Sequence, residues 1–230
     1  MNMPAAFAQP PEIVIGQSAG YTGRTSSSVK EFMEGAQAFF EVVNKRGGAA
    51  GRKIYLTTLD DGYLPELVAE NSRRLIDDEK ALAPFGYFGD APVNIALPLI
   101  KEKKIPLVAA VTGAEAHRSH PNLYFVRASY QVEVEKIVAQ SAAQGLNKFA
   151  IFYQNGEFGK DVLAGLQKAL GLRKLTLAGE GVCERNSVKV DEGMRDVDLG
   201  GFVVNFAGAN RRGSDFADVT IIGLGGRIKH

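Results

Sequence analysis

Between an apolar stretch and an amphipathic one, residues Gly16 to Phe32 read GQSAGYTGRTSSSVKEF, with glycines at 16, 20 and 23 followed by hydroxyl side chains. A glycine-rich turn ahead of a helix can bring backbone N–H groups against an anion. The spacing G-x-x-x-G-x-x-G matches neither the dinucleotide fingerprint nor the P-loop, so a nucleotide cradle is excluded. Asp60-Asp61 before Gly62 could hold a cation or exchange protons. Successive strand side chains point oppositely, so the pair is expected to cap a turn, with Asp61 serving Gly62 and Tyr63. His117 and His120 stand three apart with no cysteine cluster beside them, which reads as a solvated turn and not a metal site. Cys183 is the single cysteine, so no intramolecular disulfide or CxxC pair can form. No nucleophile has a recognisable base, and neither enzyme, metal nor cofactor is expected.

Four turns resemble one another. Ser28-Val29-Lys30-Glu31 and Thr112-Gly113-Ala114-Glu115 have the form of capping boxes. Asp90-Ala91-Pro92 sets a carboxylate before a first-turn proline, and Asn155-Gly156-Glu157 opens a further helix. Each helix start carries unpaired N–H groups and partial positive charge, so four of them converging would suit a small carboxylate.

The elements that must position these turns alternate. Apolar runs at Glu12 to Gly16, Lys53 to Leu59, Leu82 to Phe88, Ile105 to Val111, Leu123 to Val126, Phe149 to Tyr153 and Leu175 to Ala178 read as strands. Val29, Phe32, Met33, Ala36, Phe40 and Val43 form one helical stripe, and helices fit Glu66 to Asp78, Val93 to Lys103, Val132 to Gln144 and Phe158 to Leu170. This βα alternation gives an α/β class with parallel sheets and right-handed crossovers. In such sheets ligands bind outside the carboxyl ends of the strands.

Composition agrees: 230 residues with 45% apolar and 23% charged content describe a globular chain, and 27 basic against 26 acidic residues leave no basic surface for nucleic acid. No segment reaches the roughly 18 apolar residues of a membrane span, so an integral membrane protein is not expected. Ala5-Ala6-Phe7-Ala8 before Gln9-Pro10-Pro11 has the small-x-small form of a signal-peptidase site, so residues 1–11 read as a leader remnant or a tail.

The segments IVIGQSAGYTG, AFFEVVNKRGGAAGRKIYLTTLDDGYLPE, PFGYFGDAPVNIALPLIKEKKIPLVAAVTGAEAHR and LYFVRASY resemble the type I periplasmic substrate-binding proteins of ABC transporters, in the leucine/isoleucine/valine-binding group. The resemblance implies two Rossmann-like lobes closing on an amino acid or related carboxylate, export to the periplasm, and an ABC transporter permease as partner. It places ligand contacts at Ser27 and Ser28 in the first loop, at Asp90 and Ala91 after the third strand, and at Val111, Thr112 and Gly113 after the fourth. The second lobe would add Tyr130 and Phe158, or these pack in a core. Asp90 departs from the family's hydroxyl and would either cap its helix or pair with a ligand ammonium.

The resemblance divides the chain into a tail (1–11), a first lobe (12–120), a partial second lobe (121–190) and a C-terminal family segment (191–230). Two lobes need about 300 residues at usual domain sizes. The passage from ERNSVKV into DEGMRDVDLGG reads as if an internal block had been removed, leaving the second lobe incomplete. A ligand-sensing regulator of the same fold, or a nonbinding remnant, are the alternative functions.

Overall fold

The computed structural model describes residues 12–23 and 25–184, and the backbone of four short strands, β8 to β11, at Val197–Asp198, Val203–Val204, Ile221–Ile222 and Ile228–Lys229. The tail at 1–11 and the join at Val190–Asp191 lie outside the described residues. Chain contacts separate two units, Met1–Ser129 and Tyr130–His230.

In the first unit β1 (Ile13–Ala19), β2 (Ile54–Asp60), β3 (Ala83–Pro84), β4 (Leu107–Ala110) and β5 (Leu123–Phe125) are the strands. β1 pairs in parallel with both β2 and β3, and β4 pairs in parallel with β5. Parallel bridges Phe85–Val108 and Phe88–Val111 join β3 to β4, giving the order 2-1-3-4-5. That order reverses direction between β1 and β3, the kind of switch point at whose carboxyl edge open α/β sheets bind ligands.

Helix α1 (Ser26–Lys45) covers one face: Val29 and Met33 are buried with Ala19, and Phe32, Ala36, Leu56, Phe85 and Phe88 pack around them. On the other face α2 (Pro65–Arg73), extended by a π-helical turn over Arg74–Asp78, and α3 (Asp90–Lys103) bury Val68, Val93, Ala96 and Ile100 against Tyr87, Leu107, Ala110 and Leu123. Segregation of apolar side chains to both faces is what a covered parallel sheet requires.

Two expected strands are shorter than their apolar runs. The run from Leu82 to Phe88 is regular only at Ala83–Pro84, because Gly86 has φ +63°. That left-handed residue breaks the two-residue alternation, so Phe85 packs toward α1 while Tyr87 packs toward α2 and α3. Ile105 to Val111 is regular only at Leu107–Ala110, where Ala109 has φ +59° and the register with β5 shifts between Leu107 and Ala110. This bulge re-aims the chain just before Thr112.

The turn after β2 is built by its two aspartates, with one reassignment. Gly62 N–H donates to Asp60 Oδ1 (3.0 Å), not to Asp61. Asp60 also accepts the Thr22 N–H and hydroxyl, which ties the first loop to the end of β2. Desolvation works against its charge, but the hydrogen bonds from Gly62 and Thr22 outweigh it and hold the carboxyl below its ordinary pKa. Asp61 is fully buried and accepts the Tyr63 N–H (2.8 Å) and the Ser18 hydroxyl (2.7 Å). Burial pushes the Asp61 carboxyl above its ordinary pKa in spite of both bonds.

The second unit pairs β6 (Phe149–Asn155) in parallel with β7 (Leu177–Glu184) beneath α4 (Tyr130–Ala143) and α5 (Glu157–Gly171). Val138, Leu166, Ala169 and Leu170 form its core with Phe149, Ile151 and Leu177 against them. Arg173 grips Glu135 with both guanidinium nitrogens, at 2.6 and 3.0 Å, which fastens the end of α5 to α4.

A Cβ on Gly86 would lie 2.8 Å from Gln17 Nε2 and 2.8 Å from Phe32 Cε1. Gly86→Ala is therefore expected to cost about 1–3 kcal/mol of stability in denaturant unfolding, and an unchanged midpoint would show that this bend tolerates a side chain. For Asp61, a folded pKa above the unfolded one means that its stabilising contribution is full below the unfolded pKa and is lost as pH rises through the folded one. The stability of Asp61→Asn relative to wild type is therefore expected to rise with pH and to fall on acidification, whatever the substitution costs in its bond from Ser18. Parallel stability curves for the two proteins across that range would contradict the shift.

Candidate ligand site

At the carboxyl edge of the first sheet the turns after β1, β2, β3 and β4 come together through a set of buried polar pairs. Gln17 Nε2 donates to the Gly86 carbonyl (3.0 Å), and the Tyr21 hydroxyl donates to Gln17 Oε1 (2.7 Å). Ser18 donates to Asp61, and Asn71 Nδ2 donates to Ser18 Oγ (3.3 Å) and to the Asp60 carbonyl (3.1 Å). Each link crosses from one loop or strand to another, so no loop at this edge can move alone.

The turn after β3 depends on Gly89, whose φ of +101° suits glycine. The Tyr63 ring lies across it: a Cβ there would sit 2.5 Å from the Tyr63 hydroxyl. The Gly89 N–H donates to the Val111 carbonyl (3.0 Å), which fixes the start of α3 beside the turn after β4.

That turn holds the most constrained hydroxyl in the unit. Thr112 is fully buried, and its hydroxyl donates to Asp90 Oδ1 while its oxygen accepts the Ala114 N–H (3.1 Å). The expected Thr112 capping box is thus a tighter, two-residue turn leading into a single 3-10 turn, Glu115–His117. Asp90 is not the cap of α3: Gly89 occupies that position, and the Asp90 carboxylate turns to Thr112 from the first helical residue. Val111 N–H is taken by the Tyr87 carbonyl (2.9 Å). The N–H groups of Thr112 and Gly113, both in buried residues, have no hydrogen-bond partner among the described residues. Buried N–H groups are almost always paired, which makes these two donors unusual in a buried turn.

The Ser28 capping box is also corrected. Helix α1 begins three residues earlier, with Thr25 at its cap position making no side-chain cap, and its carbonyl accepts the Val29 N–H (3.0 Å). Ser27 and Ser28 are exposed in the first turn, where the Ser27 hydroxyl donates to Glu31 Oε1 (3.4 Å). Ala91 lies half-buried in the first turn of α3. His117 is buried under the Thr112 turn, so that histidine is no solvated residue, and His120 Nδ1 accepts the Asn122 N–H (3.2 Å). Among the described residues no His, Cys, Asp and Glu cluster could hold a metal ion.

Asn155-Gly156-Glu157 opens α5 in the second unit, with Gly156 at the cap. Here the two predicted aromatics meet: Tyr130 and Phe158 pack edge to face with centroids 4.8 Å apart. Tyr130 is buried, whereas Phe158 is half exposed. An exposed ring braced by a buried one offers an apolar face at low entropic cost. The sequence pattern placed Asp61 and Tyr63 in a local turn but not the Asp61 bond to Ser18 on β1, and nothing in it pointed to Arg118, whose guanidinium donates to the Thr112 carbonyl (3.0 Å).

The comparisons agree with this architecture. A crystal structure of a possible leucine/isoleucine/valine-binding protein from Rhodopirellula baltica superposes with a TM-score of 0.73 at 27% identity, over 83% of this chain and 53% of that one. Leu/Ile/Val-binding protein homolog 3 of Brucella melitensis is 24% identical over 178 residues, 75% of this chain and 46% of that protein. An amino acid binding protein of Pseudomonas aeruginosa is 35% identical over 77 residues, 34% of this chain and 21% of that protein. The chain therefore spans about half the length of these relatives or less. The family model for periplasmic binding proteins matches residues 12–191, ending where the resemblance in the sequence breaks off. With its parallel 2-1-3-4-5 sheet and most of its length matched, the chain belongs to the periplasmic binding protein family.

Proposed function

We propose that this chain captures a small amino acid or related carboxylate outside the cytoplasm, without catalysis, and delivers it to the permease of an ABC importer. The observation that carries the reading is the pair of N–H groups on Thr112 and Gly113 left without a described partner in a buried turn at the carboxyl edge of the sheet. A carboxylate accepts two such bonds well, and bonds to an ionised acceptor are the stronger kind. The first turn of α3 at Ala91 and that of α1 at Ser27 and Ser28 add the positive ends of two helices. The relatives named for amino acids and for leucine, isoleucine and valine support the same ligand class.

Thr112 enters this reading through its backbone, since its hydroxyl is committed to Asp90 and Ala114. Asp90 then has two tasks in prospect, holding Thr112 and meeting a ligand ammonium. Phe158 and Tyr130 would cover the apolar part of a ligand. Export to the periplasm and the permease follow from the family and not from a described feature of this chain.

The reading is tested by calorimetry of the full chain with L-leucine, L-phenylalanine and benzoate, and heat from none of them would remove the proposed ligand class. If Asp90 meets the ammonium, Asp90→Asn weakens both amino acids by about 1–3 kcal/mol and spares benzoate; an equal effect on all three would leave Asp90 a structural partner of Thr112 alone. Phe158→Ala is expected to reduce affinity by about 0.5–1.5 kcal/mol with little change in melting temperature, because the ring is half exposed. A fall in melting temperature at unchanged affinity would make Phe158 a packing residue.

A further inference from the structure

Among the described residues, Arg118 is the cation that holds the Thr112 turn. Its Nη2 donates to the Thr112 carbonyl (3.0 Å), its Nη1 donates to the Arg127 carbonyl (3.0 Å), and its guanidinium lies over the Phe125 ring, 4.2 Å from the centroid. Its Nε is buried and has no hydrogen-bond partner among the described residues. The side chain is half-buried and follows directly on the short turn Glu115–His117.

The carbonyl that Arg118 grips belongs to the same peptide unit as the free Gly113 N–H. No peptide in the described chain is cis, and in a planar trans peptide the N–H points opposite to the C=O. Fixing the Thr112 carbonyl therefore fixes the direction of the Gly113 N–H, away from the guanidinium. A hydrogen bond from a cation to the carbonyl also polarises the peptide and strengthens its N–H as a donor. The second hold, on Arg127, reaches the residues just before Ser129, where the first unit ends and the chain passes to Tyr130. One planar fork thus joins the ligand turn, the end of β5 and the segment leading into the second unit. Lysine, with a single ammonium, could not span both carbonyls in this geometry and stack on the ring at once.

We propose that Arg118 is a positioning residue, which orients and polarises the Thr112–Gly113 peptide for a ligand carboxylate and ties that peptide to the chain crossing between the units. The proposal rests on the ligand reading above, and its test separates the two.

In the full chain, the amide nitrogen and proton resonances of Gly113 report the hydrogen bond to the preceding carbonyl whether or not ligand is present. Arg118→Ala and Arg118→Lys are both expected to shift the Gly113 amide while leaving α2 resonances in place. Affinity for L-leucine and for benzoate is expected to fall about tenfold in Arg118→Ala. Arg118→Lys is expected to bind more tightly than Arg118→Ala and more weakly than wild type. If Arg118→Ala does not fold, Arg118→Lys carries the measurement. An unmoved Gly113 resonance overturns the proposal. So does a variant that melts earlier yet binds both probes as wild type does, since that is the signature of a packing role. Wild type that binds neither probe would overturn the ligand reading, and the Gly113 resonance would still decide whether Arg118 orients the peptide.

Discussion

At the carboxyl edge of the first sheet, polar groups that the fold removes from water must find partners inside the protein. Ser18, Gln17, Asp61 and Thr112 are all fully buried. An unpaired hydroxyl or amide in such a place costs about 1–3 kcal/mol, and a charge costs more. The turns after β1 to β4 are therefore arranged around pairings: Ser18 with Asp61, Gln17 with Gly86, Thr112 with Asp90. Because every pairing joins residues distant in the chain, satisfying them positions the loops relative to one another. The site inherits its rigidity from this requirement.

Left-handed backbone occurs at this edge as well as in turns ahead of the strands, such as Lys80 and Lys104. Tyr63, Gly86, Gly89 and Ala109 all have positive φ, and two of the four are not glycine. Two of them are held by pairings: the Tyr63 N–H by Asp61, and Gly86 through its carbonyl by Gln17 and through its N–H by Val108. Residues in sparsely populated conformations persist when their surroundings hold them there. The observed bends put Tyr63 over Gly89 and bring Thr112 round to Asp90.

The two units differ in how they treat polar groups at the strand ends. In the first, Asp61 and Asp90 turn inward and take buried partners, Ser18 and Thr112. In the second, Tyr153 and Asn155 donate to Glu180 and Glu184 on exposed parts of β7, at 2.9 Å each. Solvated pairs of this kind contribute little to stability and do not fix a site. What the second unit adds instead is an aromatic pair at the head of α5.

The α/β class, the order of elements and the turns at the carboxyl ends of the strands were legible in the sequence, because hydrophobic periodicity and helix starts are local signals. The helical stripe from Val29 to Val43 is α1, and the Thr112 turn lies at the edge of the sheet where the strand pattern puts it. What the sequence could not supply was the partner of each buried polar group. Nothing local distinguishes an Asp90 that caps α3 from one that receives the Thr112 hydroxyl twenty-two residues away, or an Asp61 that serves Gly62 from one that holds Ser18 across to β1. Ser28 failed as a cap for a related reason: the serines and threonine around it can all start a helix, and packing of Val29 and Met33 against Ala19 accompanies the earlier start. Arg118 carried no signal at all, since a guanidinium reveals its role only when tertiary structure brings two carbonyls and a ring within its reach.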